Sequence, residues 1–215
     1  MVSRKKQLRK KQWEELDLTH FKLLPSAKPP FFHGSTVRKA AQHIWNKKLR
    51  PAVLKQQENK CCICNWIPKN ASELRRLHLH EIENYDFENK VCHLIEIKLI
   101  CRDCHSFQHI GRTQSVLNKK QWEDLMQHFI KVNHCSPDVD FDLVLAKSIH
   151  SEGYYEAQRK FTFGMTIEER VKLAKKPVRF TINPGIPLAE ELKMHLIKRQ
   201  LLYDGSDIKE DRGND

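Results

Sequence analysis

Two cysteine pairs, Cys61-x-x-Cys64 and Cys101-x-x-Cys104, constrain this chain more than any other feature of it. Two residues between thiols let a tight backbone knuckle present both sulfurs to one ion, and two knuckles supply the four thiolates of a tetrahedral zinc site. The spacing therefore predicts a structural zinc held by Cys61, Cys64, Cys101 and Cys104. The stretch from Asn65 to Ile100 is longer than in a compact zinc ribbon, so it must carry structure of its own. Seven cysteines in all, an odd number, fit metal ligands and free thiols better than a fully paired disulfide framework. Cys62 adjoins the first knuckle and could compete as a ligand, although its spacing to Cys64 is tighter than a knuckle prefers. Cys92 and Cys135 read as buried thiols.

Between the knuckles, Leu77-His78-Leu79-His80-Glu81-Ile82 alternates as a strand does, and Val91 to Ile100 is a second β-rich run ending at the second knuckle. Asn84 to Asn89 supplies polar turn residues. His105 and His109 follow Cys104 at once, and if that segment is helical they share a face, because residues four apart are neighbours on a helix. The order is strand, turn, strand, helix, with zinc clamping both ends. Such a layout brings His80 towards His105 and His109, three imidazoles that suit a divalent cation and leave positions open for phosphate and water.

The stretches LHLHEI and LICRDCHSFQHIGR, with both knuckles, His80-Glu81, Tyr85-Asp86 and His105 to Gly111, resemble the HNH endonuclease superfamily over about a quarter of the chain. The resemblance implies an α+β fold, a zinc-stapled ββα-metal core flanked by helices, and metal-dependent hydrolysis of phosphodiester bonds in DNA. It also implies roles: His80, His105 and His109 as ligands of a catalytic Mg²⁺, Mn²⁺ or Zn²⁺, and Glu81 in the place where most members carry the general-base histidine. A carboxylate with an unperturbed pKa of about 4.3 is a weaker base than imidazole, so His78, on the same strand face as His80, is the alternative base. Asn89 is the nearest candidate for the central asparagine of the family signature.

Charge agrees with a polyanionic partner. The formal net charge is +11 over 215 residues, and phosphates release counterions when Lys and Arg approach them. Arg112, Lys47, Lys48, Lys119 and Lys120 are the candidate backbone contacts, which hold phosphate without reading bases. Two other readings compete with the nuclease: a noncatalytic zinc-stapled nucleic-acid-binding protein, and an interaction or toxin-like module with an acidic partner. No apolar stretch approaches the roughly 20 residues needed to span a bilayer, and no signal segment opens the chain, so a soluble, cytoplasmic protein is expected.

Three segments follow. Residues 1–34 read as a basic arm (Arg4 to Lys11) and a Pro-rich connector, 35–135 as the zinc-stapled domain with flanking helices, and 136–215 as a mostly helical region carrying no motif. Within them, Ser35 is the expected N-cap of a helix bearing Val37, Ala40, Ala41, Ile44 and Trp45, which Pro51 either breaks or follows with a second helix. Lys119 to Val132 is amphipathic, with Trp122, Leu125, Met126, Phe129 and Ile130 on one face. Helices are also expected over Phe141 to Ile149, Tyr154 to Phe161, Thr166 to Lys175 and Leu188 to Leu202, with an extended PVRFTINPG segment between the last two.

Overall fold

The computed structural model describes residues 15–205. The basic run Arg4 to Lys11 and the tail beyond Gly205 lie outside the described residues. The fold is mixed α+β with a three-stranded sheet. No helix among the described residues is long and apolar enough to cross a membrane.

In chain order, a 3₁₀ turn at Pro30–Phe32 is followed by α1 (Val37–Ala40), α2 (Gln42–Ile44), a π turn (Trp45–Leu49) and α3 (Arg50–Gln56). Thr36, not Ser35, caps α1: its hydroxyl accepts the Lys39 N–H at 3.0 Å, so the cap falls one residue later than the sequence predicts. Pro51 sits in the first turn of α3, where its missing N–H costs nothing. Then come α4 (Ala71–Leu74), β1 (Leu77–Asp86) and β2 (Val91–Cys101). The link from Phe87 to Lys90 is too short for a crossover, so these adjacent strands form an antiparallel hairpin. β1 thus runs through residues expected to turn. The turn is closed by Asp86, whose carboxylate accepts both the Asn89 backbone N–H at 3.0 Å and its side-chain amide at 2.7 Å.

The helices α5 (Arg102–Phe107), α6 (Ile110–Val116), α7 (Lys119–Asn133), α8 (Phe141–Glu152), α9 (Tyr154–Thr162) and α10 (Ile167–Lys175) follow, then β3 (Arg179–Ile182) and α11 (Ala189–Lys198). Reciprocal capping boxes start two of them, Asn118 with Gln121 on α7 and Thr166 with Glu169 on α10. The last helix stops short of Leu202, which instead bridges to Phe180.

The chain folds as two compact units, each assembled from separated segments. Of the described residues, the first comprises 15–28, 60–78 and 100–156. Its core is aromatic: Phe129 lies 5.2 Å from both Phe107 and Phe141, and Trp122 stands 5.5 Å from Phe141. Asn133, buried at the end of α7, exchanges two 2.9 Å hydrogen bonds with the backbone of Leu23, which satisfies its amide and fixes that segment.

Of the described residues, the second unit comprises 29–59, 79–99 and 157–205. β2 is central in the order β1-β2-β3, and it pairs with β3 in parallel, Cys92 opposite Phe180 and Leu94 opposite Ile182. Gln57 extends the pattern, its amide bonding Ile97 O at 3.0 Å and Leu99 N at 2.8 Å. The Pro-rich segment read as a connector is core here: Phe32 is fully buried, 4.7 Å from Tyr85 and 5.4 Å from Phe87. Lys90, 4% exposed, donates to the carbonyls of Leu173, Ala174 and Lys176 at 2.8, 2.8 and 2.6 Å. A cation there gives a donor to the carbonyls at the end of α10 and complements its dipole.

Candidate metal centre

The four knuckle cysteines converge within the first unit. Each offers a sulfur, and the four sulfurs lie within 4.8 Å of one another, with Cys61, Cys101 and Cys104 buried and Cys64 partly so. Sulfurs on a tetrahedral zinc with Zn–S bonds of about 2.3 Å stand roughly 3.8 Å apart. The Cys64–Cys101 separation of 3.6 Å is close to that geometry, so the residues fit a zinc ion.

Local backbone chemistry shapes each knuckle. In the first, Cys61 N donates to Trp66 O and Asn65 N to Cys61 O, both at 2.9 Å, with Asn65 in the left-handed region. In the second, Cys101 caps α5 and its sulfur accepts the Cys104 N–H at 3.4 Å. Arg102 N donates to Arg76 O at 2.8 Å, which ties the second knuckle to the segment after α4. Hydrogen bonds from Cys101 and Cys104 pull the Cys61 thiol down to about 6, whereas the neighbouring sulfurs of Cys101, Cys61 and Cys64, with burial, push Cys104 up. Four crowded thiols cannot share charge comfortably without a cation, and a metal resolves the conflict by taking all four as thiolates.

The sequence gives little sign of His128. From α7 its Nε2 lies 3.2 Å from Cys104 Sγ, where an N–H donor would offset the charge of a zinc-bound thiolate. Nothing in the spacing of α7 distinguishes it from an ordinary surface histidine. Of the remaining cysteines, Cys62 is exposed and outside the four-sulfur group, Cys92 is buried on β2, and Cys135 is only partly buried.

The histidines after the second knuckle do not share one helix. α5 ends at Phe107 and His109 is the N-cap of α6. The break has a long-range cause: Ile110 N–H points to Ser26 O at 3.5 Å, while Ser106 O accepts the Thr113 hydroxyl at 2.7 Å. The rings still meet, their centroids 4.7 Å apart. His78, half-buried on β1, brings its Nδ1 to 3.0 Å from Nδ1 of His105. One ring must donate and the other accept, so this bond uses the Nδ1 side of His105 and leaves its Nε2 for another partner. His80 lies two residues beyond His78 on β1, so the two side chains leave the same side of that strand.

Glu81 has a structural partner. Its carboxylate accepts the Arg38 N–H at 3.0 Å, in the first turn of α1. Asn89 is committed to the hairpin turn, at the opposite end of β2 from Cys101. In the first unit, Arg112 is exposed on α6, and Lys119 and Lys120 are exposed at the start of α7, with Lys119 loosely paired to Glu123 at 3.9 Å. In the second unit Lys47 is exposed, whereas Lys48 is held by Glu191 at 2.6 Å. Comparison with protein-family models, curated proteins and solved structures finds no match to this chain.

Proposed function

We propose that the chain is an HNH-type, metal-dependent DNA endonuclease whose Cys61, Cys64, Cys101 and Cys104 hold a structural zinc. The observation that carries this reading is the imidazole cluster built beside the second knuckle. His105 and His109 stand with ring centroids 4.7 Å apart and His78 bonds to His105; with His80, the third ligand that the sequence pattern implies, three imidazoles would leave positions open on a divalent cation. When bound, such an ion supplies Lewis-acid stabilisation of the charge on a scissile phosphate. His78 orients His105 through the Nδ1 contact, the role that outer partners of metal-binding histidines generally play. The net charge of +11 supports a nucleic-acid partner, with Arg112, Lys119, Lys120, Lys47 and Lys48 as backbone contacts.

Glu81 is the residue in this scheme that positions or deprotonates water. Its bond to Arg38 N–H also favours a second reading, in which the carboxylate is structural and the protein binds nucleic acid through a degenerate core without cutting it. Nicking of supercoiled plasmid in the presence of Mg²⁺ or Mn²⁺ separates the two. The nuclease reading expects cleavage that His105→Ala or His109→Ala abolishes with zinc content unchanged. Glu81→Gln should lower the rate on the order of 10²-fold if the carboxylate is the base. No nicking by wild-type protein under any divalent ion leaves the binding reading standing.

A further inference from the structure

A cavity of about 420 Å³ opens beside the four cysteines, entirely within the first unit, and Cys64 and Cys101 form part of its wall. That volume lies in the range of small-ligand sites. Its lining is divided. Trp66 and Ile63 are half-buried and Val132 is buried, whereas Lys22, Lys131 and His134 are exposed. Arg76 stacks 5.3 Å from the Trp66 ring centre and lies 3.6 Å from Asp103, the single acidic residue of the wall, so the ring is braced and the acid is matched. Among the described residues Lys22 and Lys131 have no hydrogen-bonded or ion-paired partner. Two unengaged ammonium groups at the mouth of a braced aromatic cavity match a ligand with one flat face and one phosphate.

We infer that this cavity is a nucleotide-binding site, separate from the histidine cluster, in which a base stacks on Trp66 and the attached phosphate is held by Lys22 and Lys131. The occupant is either one unit of a single strand or a free nucleoside monophosphate, since both offer the same base and phosphate. A strand is sequence-tolerant here, because any base has a face to stack. The inference does not rest on the nuclease reading, since no residue of the cavity belongs to the histidine cluster.

The test is binding of fluorescein-labelled dT12 to the full chain without added divalent ions, across a salt series, with zinc content measured on every sample. Trp66→Ala should weaken binding about tenfold, the size of one stacked base. Lys22→Gln with Lys131→Gln should weaken it further and reduce the salt slope by roughly 0.7, the share of one phosphate on a single strand. Trp66→Ala should leave competition by inorganic phosphate unchanged. Displacement by dTMP identifies a free monophosphate as the occupant, and displacement only by longer oligonucleotides identifies a strand. The inference is overturned if wild-type protein does not bind dT12 at low salt, or if both variants bind it as wild type does. It is overturned equally if the lysine pair lowers zinc content with no change in dT12 affinity, because the two cations then serve only the zinc-thiolate charge.

Discussion

The two units of this chain reach a packed interior by different means. Beside its longer α7 and α8, the first carries short helices at the knuckles, α4 with four residues and α5 with six, which cannot persist alone because the first helical turn is costly to nucleate. Four sulfurs and an aromatic cluster hold them. The second has a sheet whose central strand is bonded on both sides, over an aliphatic core that includes Leu94, Ile182, Leu192 and Leu196. The difference teaches where function can sit. A region in which four cysteines can staple the chain through a metal can carry partly exposed imidazoles and a cavity, because its stability then does not depend on burying every side chain.

The largest effect should come from the staple itself. Structural zinc in small domains contributes about 10–16 kcal/mol of apparent binding energy, so Cys101→Ala should abolish zinc retention and unfold the first unit, as read by near-UV circular dichroism and metal analysis. Acid should act in the same direction, since protons compete with zinc for thiolates. Zinc release should grow as pH falls and should be measurable with a colorimetric chelator.

In the second unit the counterpart is Lys90. Lys90→Met removes three hydrogen bonds from a charged donor and leaves carbonyls unmet, so unfolding in urea should show a loss of about 2–3 kcal/mol with zinc content unchanged. A loss of zinc in this variant would break the comparison. Smaller again is the cap of α7: Asn118→Ala should cost about 1 kcal/mol by the same measurement. The least effect is a pH dependence at α10. The backbone N–H of Thr166, then its hydroxyl, hold the Glu169 carboxyl below its ordinary range. A depressed folded value means that the contribution is present above the unfolded pKa and is lost as pH falls through the folded one. A slight loss of helicity confined to acid pH should follow.

What the sequence revealed depended on how local its causes were. The four-cysteine cluster was legible because knuckle spacing is a property of two residues, and the strands were legible because alternation at Leu77 to Ile82 has period two. The helix break between His105 and His109 was not, since it depends on Ser26 taking the Ile110 N–H across more of the chain than any spacing rule covers. The contact of His78 with His105, and that of His128 with Cys104, were hidden for the same reason. No spacing or motif marks Lys90, and the end of α10 explains its burial. Ser35 was displaced as a cap by its neighbour Thr36, a choice of one residue that composition does not settle.

Hydrogen exchange on the full chain, before and after zinc is removed by chelation, tests the comparison at its root. Loss of protection in residues 60–78 and 100–156, with β3 and α11 of the second unit still protected, is the result predicted for a unit held by metal beside one held by its own sheet. Unchanged protection throughout, or no zinc to remove from protein purified without chelator, would contradict it.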